Sequence, residues 1–111
     1  MSNVTRTYFM LNVLDMSRAV AFYREVLGPV IRYESEQWSE IKLGDATVAL
    51  HAGAGAPRET GLAVEVGDLD LVCAAVVRMG GRIVIAAAVA AGERSAEVAD
   101  TEGNTFTVVA A

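Results

Sequence analysis

Few side chains in this sequence could do chemistry. There is one histidine, His51, one tryptophan, Trp38, and one cysteine, Cys73. A histidine can serve as a base or a metal ligand near neutral pH. Trp38 and Tyr8 offer flat faces on which a planar ligand can stack. Glu65 stands in LAVEV, a carboxylate among apolar neighbours. Desolvation there would raise its pKa and make it a base, and a cationic ligand would pair with it. Each residue also has a plainer reading. His51 suits a partly exposed strand end, and the aromatics suit packing at a sheet edge or subunit interface. Glu65 suits a solvated strand position or a pair with Lys42. Cys73 falls on an apolar stripe and reads as a small core residue. No phosphate-loop spacing or Ser-His-Asp order is present.

The elements that would position these residues form a loose repeat. NVLD at 12–15 recurs as EVGD at 65–68, and a helical run follows each. Ala19, Phe22, Tyr23, Val26 and Leu27 make the first apolar stripe; Leu69, Val72, Cys73, Val76 and Met79 make the second. Asp15 or Ser17 can cap the first helix, and Asp68 or Asp70 the second. Gly28-Pro29 and Gly80-Gly81 stop them. Short strand-like segments follow: VIRYES, WSEIKL and ATVALH, then RIVIAAAV, ERSAEVA and NTFTVVA. The order is strand, helix, three strands, twice. Module 1 spans about 4–52 and module 2 about 61–111, joined by a glycine-containing linker at about 53–60. The predicted class is α+β: two βαβββ modules forming a curved mixed sheet. The helices lie on its convex side and a ligand cleft on its concave side.

Strand alternation assigns the faces. Phe9, Leu11, Val13, Ile41, Val48, Leu50, Leu62, Val64, Phe106 and Val108 should meet the helices. The cleft then receives Tyr8, Met10 and Asn12, with Trp38, Glu40, Lys42, Thr47, Ala49 and His51. From the second module come Gly61, Ala63, Glu65, Thr105, Thr107 and Val109.

Composition excludes several classes. The 111 residues suffice for one domain with a core, and 53% are hydrophobic, which argues against disorder. A net charge of −5 with scattered basic residues gives no footprint for nucleic acid or an anionic membrane. The longest aliphatic run, at 83–91, is too short to span a bilayer. A lone cysteine and the absence of a secretory pattern behind Arg6 predict a cytoplasmic protein.

VLDMSRAVAFYREVLG at 13–28 and DTEGNTF at 100–106, with VGDLD reopening the pattern at 66–70, resemble the vicinal oxygen chelate superfamily. That superfamily includes glyoxalase I, bleomycin-resistance proteins and extradiol dioxygenases. Thr101 stands where the family pattern has proline. The resemblance implies four metal-ligand positions, which here are Tyr8, Ala49, Gly61 and Thr107. None is a histidine or carboxylate, so a divalent ion would lack donors. No metal or other cofactor is expected, and no catalytic residue is assigned. The expected ligand-binding set is Tyr8, Met10, Trp38, Glu40, Ala49, His51, Gly61, Glu65 and Thr107. The resemblance points to the metal-free, bleomycin-resistance-like branch. Its expected role is sequestration of a small aromatic or cationic compound, such as an antibiotic or aromatic metabolite. Glu40 and Glu65 would favour a cation. The alternative is a lyase, isomerase or dioxygenase of the same superfamily. Family precedent also implies a homodimer, each cleft built from both chains.

Overall fold

The computed structural model describes residues 2–53 and 55–111, so Ala54 of the predicted linker lies outside the described residues. The chain runs β1 (Phe9–Val13), α1 (Met16–Leu27), β2 (Val30–Tyr33), β3 (Trp38–Leu43) and β4 (Ala46–Ala52). The order then repeats as β5 (Glu59–Val66), α2 (Leu69–Arg78), β6 (Arg82–Ala90), β7 (Glu93–Ala99) and β8 (Thr105–Ala110). Both helices start at the same point of the repeat. Asp15 accepts a hydrogen bond from the Arg18 N–H at 3.1 Å, and Asp68 accepts one from Leu71 at 3.0 Å. These two aspartates, not Ser17 or Asp70, satisfy backbone donors that have no partner inside the helix.

The helices end differently. Gly28 takes the left-handed conformation, φ 61°, that closes α1. After α2, Gly80 supplies the left-handed turn, with φ +91°. Gly81 has another job. A Cβ there would collide with the Ala99 carbonyl oxygen and crowd Val76 and Phe22. Backbone oxygens cannot step aside, so Gly81→Ala should destabilise the protein by about 1–3 kcal/mol. Urea denaturation checks this; an unchanged midpoint would contradict so close an approach.

Each module forms a four-stranded mixed sheet, ordered β1-β4-β3-β2 and β5-β8-β7-β6. The first and fourth strands of each module pair in parallel, and the remaining pairs are antiparallel. β1 and β5 are edge strands, and among the described residues no ladder joins the two sheets. One continuous core takes Leu11, Val13, Ile41, Val48 and Leu50 from the first sheet. It takes Leu62, Val98, Phe106 and Val108 from the second, and Val20, Phe22, Tyr23, Val72 and Val76 from the helices. α1 also reaches the other module, where the Tyr23 ring lies 6.0 Å from that of Phe106. No described helix is long and apolar enough to cross a membrane.

A polar clamp completes the junction. The turn between β7 and β8 reaches back to the junction of β1 and α1. Tyr23 donates its hydroxyl to Asp100 at 2.5 Å, and Asn104 donates to the Asn12 carbonyl at 2.7 Å. Glu102 accepts from the Leu14 and Asp15 N–H groups, both at 2.8 Å, and from Arg18 at 2.8 and 3.1 Å. Its side chain is fully buried. Burial pushes the Glu102 carboxyl up, but Arg18, Thr101 and the two backbone donors more than offset this and hold it at about 2.

Four details depart from the expected pattern. The first strand begins at Phe9, leaving Tyr8 in the segment ahead of it. Phe9 was expected inside and is 46% exposed, because the ladder with β4 begins only there. Val109, expected on the open face, is buried. The connection is also shorter than predicted, since β5 begins at Glu59, where its ladder with β8 starts.

Candidate functional site

The outer face of the first sheet gathers most of the expected site. Strand register aligns Asn12, His51 and Trp38 in one row, and Met10, Ala49 and Glu40 in the next. Tyr8 closes over these rows from the segment before β1. Its ring meets that of Trp38 edge-on at 6.0 Å, and Trp38 meets His51 at 5.3 Å. Three rings therefore form a continuous wall. Within it, the His51 Nδ1 is buried and has no hydrogen-bond partner among the described residues. A buried ring nitrogen left unpaired is costly, so a donor or acceptor that reached it by moving the neighbouring rings aside would find a receptive atom there.

Glu40 is already partnered. Its carboxylate accepts the Trp38 indole N–H at 2.9 Å and two bonds from Arg6 at 2.9 and 3.3 Å. The indole donor and the Arg6 guanidinium hold this carboxyl below the usual carboxylate range. Ala49 is completely buried beneath the cluster. Asn12, on the same face, spends its amide N–H on the Ala56 carbonyl at 3.1 Å.

The second module's expected residues lie elsewhere. Thr107 shares a shallow concavity of about 290 Å³ with Ile85, Ser95 and Glu97. Glu65 is exposed on the edge strand β5 and lines a groove of about 400 Å³. Lys42 lines the same groove, together with Pro29 and Asp45. Gly61 lies on β5 with φ +71° and open space where a side chain would be. Neither concavity includes Tyr8, Trp38 or His51. Cys73 sits half-buried on α2, and burial raises its thiol, as expected for a packing residue.

The residues present do not fit the divalent metal that the fold family implies. Of the four positions, Tyr8 and Thr107 offer only a phenol and a hydroxyl. Ala49 is a buried methyl and Gly61 has no side chain. Among the described residues, no three His, Cys, Asp or Glu side chains converge on one point.

Sequence reasoning missed Arg6. It precedes the first strand, where alternation carries no information, and only its charge in an otherwise neutral segment hints at a partner. Lys42 adds positive charge to this face, and Arg32 lies close enough to act on Glu40. The concavity on the second sheet contributes Glu97 instead.

This arrangement has relatives. The chain is similar to the hypothetical protein SA1046 from S. aureus, with a TM-score of 0.84 and 22% identity over 99% of this chain and 96% of that one. It is similar to the fosfomycin resistance protein FosX from Mesorhizobium loti, with a TM-score of 0.78 and 17% identity over 100% and 94%. It is also similar to the bleomycin-binding protein of Streptomyces verticillus, solved with copper(II)-bleomycin. That match has a TM-score of 0.70 and 17% identity over 100% and 99%. At these identities the likeness is one of fold. No curated protein matches the chain. The model of the glyoxalase-like domain matches residues 8–109, nearly the whole sequence, and the chain belongs to that family.

Proposed function

We propose that this protein binds a small, partly aromatic molecule against the Tyr8–Trp38–His51 wall, without a metal ion and without a chemical step. The observation that carries this reading is the wall itself, three rings in contact around a buried nitrogen that lacks a partner. Stacking supplies affinity, and His51 supplies orientation. The bleomycin-binding and fosfomycin resistance proteins of the same fold support a sequestration or resistance role.

The site is half a cleft. Tyr8, Met10 and Tyr33 are 40%, 41% and 56% exposed, and Ile85 on the second sheet is 60% exposed. Beyond the Arg6–Glu40 pair the first face carries Arg32, and the second carries Glu97. Such complementary charge suits contact between the first face of one chain and the second face of a partner. A homodimer with two shared clefts is part of the proposal.

A thermal-shift screen of antibiotics and aromatic metabolites, with and without divalent metals, tests the function. A specific ligand at 100 times its dissociation constant should add about 2.7 kcal/mol of stability. Trp38→Ala should abolish the shift. A shift that survives this change would refute the stacking wall. The unpartnered His51 nitrogen also suits proton transfer, the second reading. Turnover of a bound compound, lost in His51→Gln while binding persists, would select it.

A further inference from the structure

The chain delivers a cation to its own candidate site. Residues 2–8 form neither strand nor helix. The Arg6 guanidinium lies 4.5 Å from the centre of the Tyr8 ring, over its face. It also gives one N–H to each oxygen of Glu40. One of those oxygens simultaneously takes the Trp38 indole N–H. Beneath this cluster Ala49 has no exposure at all, although its strand position faces outward.

We propose that residues 2–7 are a displaceable strap, that Arg6 is the resident occupant of the site, and that the displacing ligand carries a planar cation joined to a flat ring. The proposal rests on reading this face as the binding site. Its basis is geometric. A flat ring below and a two-oxygen acceptor beside it make a receptor for delocalised planar cations, such as guanidinium or amidinium groups. A compact ammonium lacks the planar fork that pairs both carboxylate oxygens while its face lies on the ring. The neighbouring Trp38 and His51 rings would then take the ligand's aromatic part.

The strap is lightly held. Apart from Arg6, the described side-chain hydrogen bonds of residues 2–7 amount to a local one, from the Val4 N–H to the Ser2 hydroxyl. The Arg6 side chain is 53% exposed, so water and salt reach the ion pair. A ligand competing with such a tethered group binds with an apparent affinity reduced by the fraction of open sites. Removing the tethered group removes that reduction.

The test uses the single tryptophan, Trp38, as its reporter, with benzamidine as the probe. Without ligand, Arg6→Ala should raise acrylamide quenching of Trp38 emission. Benzamidine should bind Arg6→Ala about tenfold more tightly than wild type, the factor expected if the strap is seated about nine-tenths of the time. Arg6→Ala combined with Glu40→Gln should lose that binding. Unchanged quenching together with equal affinity would overturn the strap. Weaker binding to Arg6→Ala would make Arg6 part of the receptor and also overturn it. Failure of benzamidine on both proteins would overturn the assigned ligand class. If no compound of any class perturbs Trp38, the binding-site reading itself fails, whatever the quenching shows.

Discussion

Glu102→Gln should lower stability by about 2 kcal/mol at pH 7 and by far less near pH 2. The carboxyl sits at about 2, against an ordinary 4.5. At about 1.36 kcal/mol per pKa unit, that depression corresponds to roughly 3 kcal/mol. Arg18 is half exposed, and water screens its share, which brings the figure down. The sign follows from the direction of the shift. A carboxylate with a depressed folded pKa contributes fully above its unfolded value. The contribution shrinks as the pH falls from about 5 toward 2. Urea denaturation of both proteins at pH 7, 5, 3 and 2 measures it. The gap between them should close on acidification. A gap that stays constant would mean the Glu102 charge does not stabilise the clamp.

Two inactive variants, mixed, should recover binding. In the proposed homodimer, Trp38→Ala removes the aromatic wall from the first sheet, and Thr107→Arg blocks the concavity on the second sheet that would face it. Each homodimer should bind no ligand. In a heterodimer, one cleft inherits both lesions and the other inherits neither. Random reassortment makes half the dimers mixed, so about a quarter of all clefts should be restored. Calorimetric stoichiometry after co-refolding would read this directly. No recovery from a verified heterodimer would place the site within one chain.

Much of the fold was legible because the repeat states it twice. Asp15 and Asp68 mark equivalent helix starts, and Gly28 and Gly80 mark the stops, since a capping carboxylate and a left-handed glycine satisfy the local backbone demands. Alternation placed Leu11, Val48, Leu50, Phe106 and Val108 inside, because a half-buried strand has a period of two. It also aligned Trp38, Glu40, Ala49 and His51 on one face. What periodicity could not show is pairing between charged groups distant in sequence. Arg6 meets Glu40 across 34 residues, and Arg18 meets Glu102 across 84. The first pair neutralises a carboxylate that looked available to a cation. The second was hidden inside a motif that marks the fold without stating its chemistry. Tyr8 lies outside the strand because the ladder with β4 starts only at Phe9.

The most direct test of the central claim is a binding titration followed through Trp38 emission, using the best ligand from the screen and protein exhaustively treated with chelator. Saturable binding is expected, with a dissociation constant unchanged by added zinc, nickel, manganese or iron. Loss of binding is expected in His51→Ala, which removes the unpartnered ring nitrogen. Binding that appears only when a divalent metal is restored would contradict the metal-free reading.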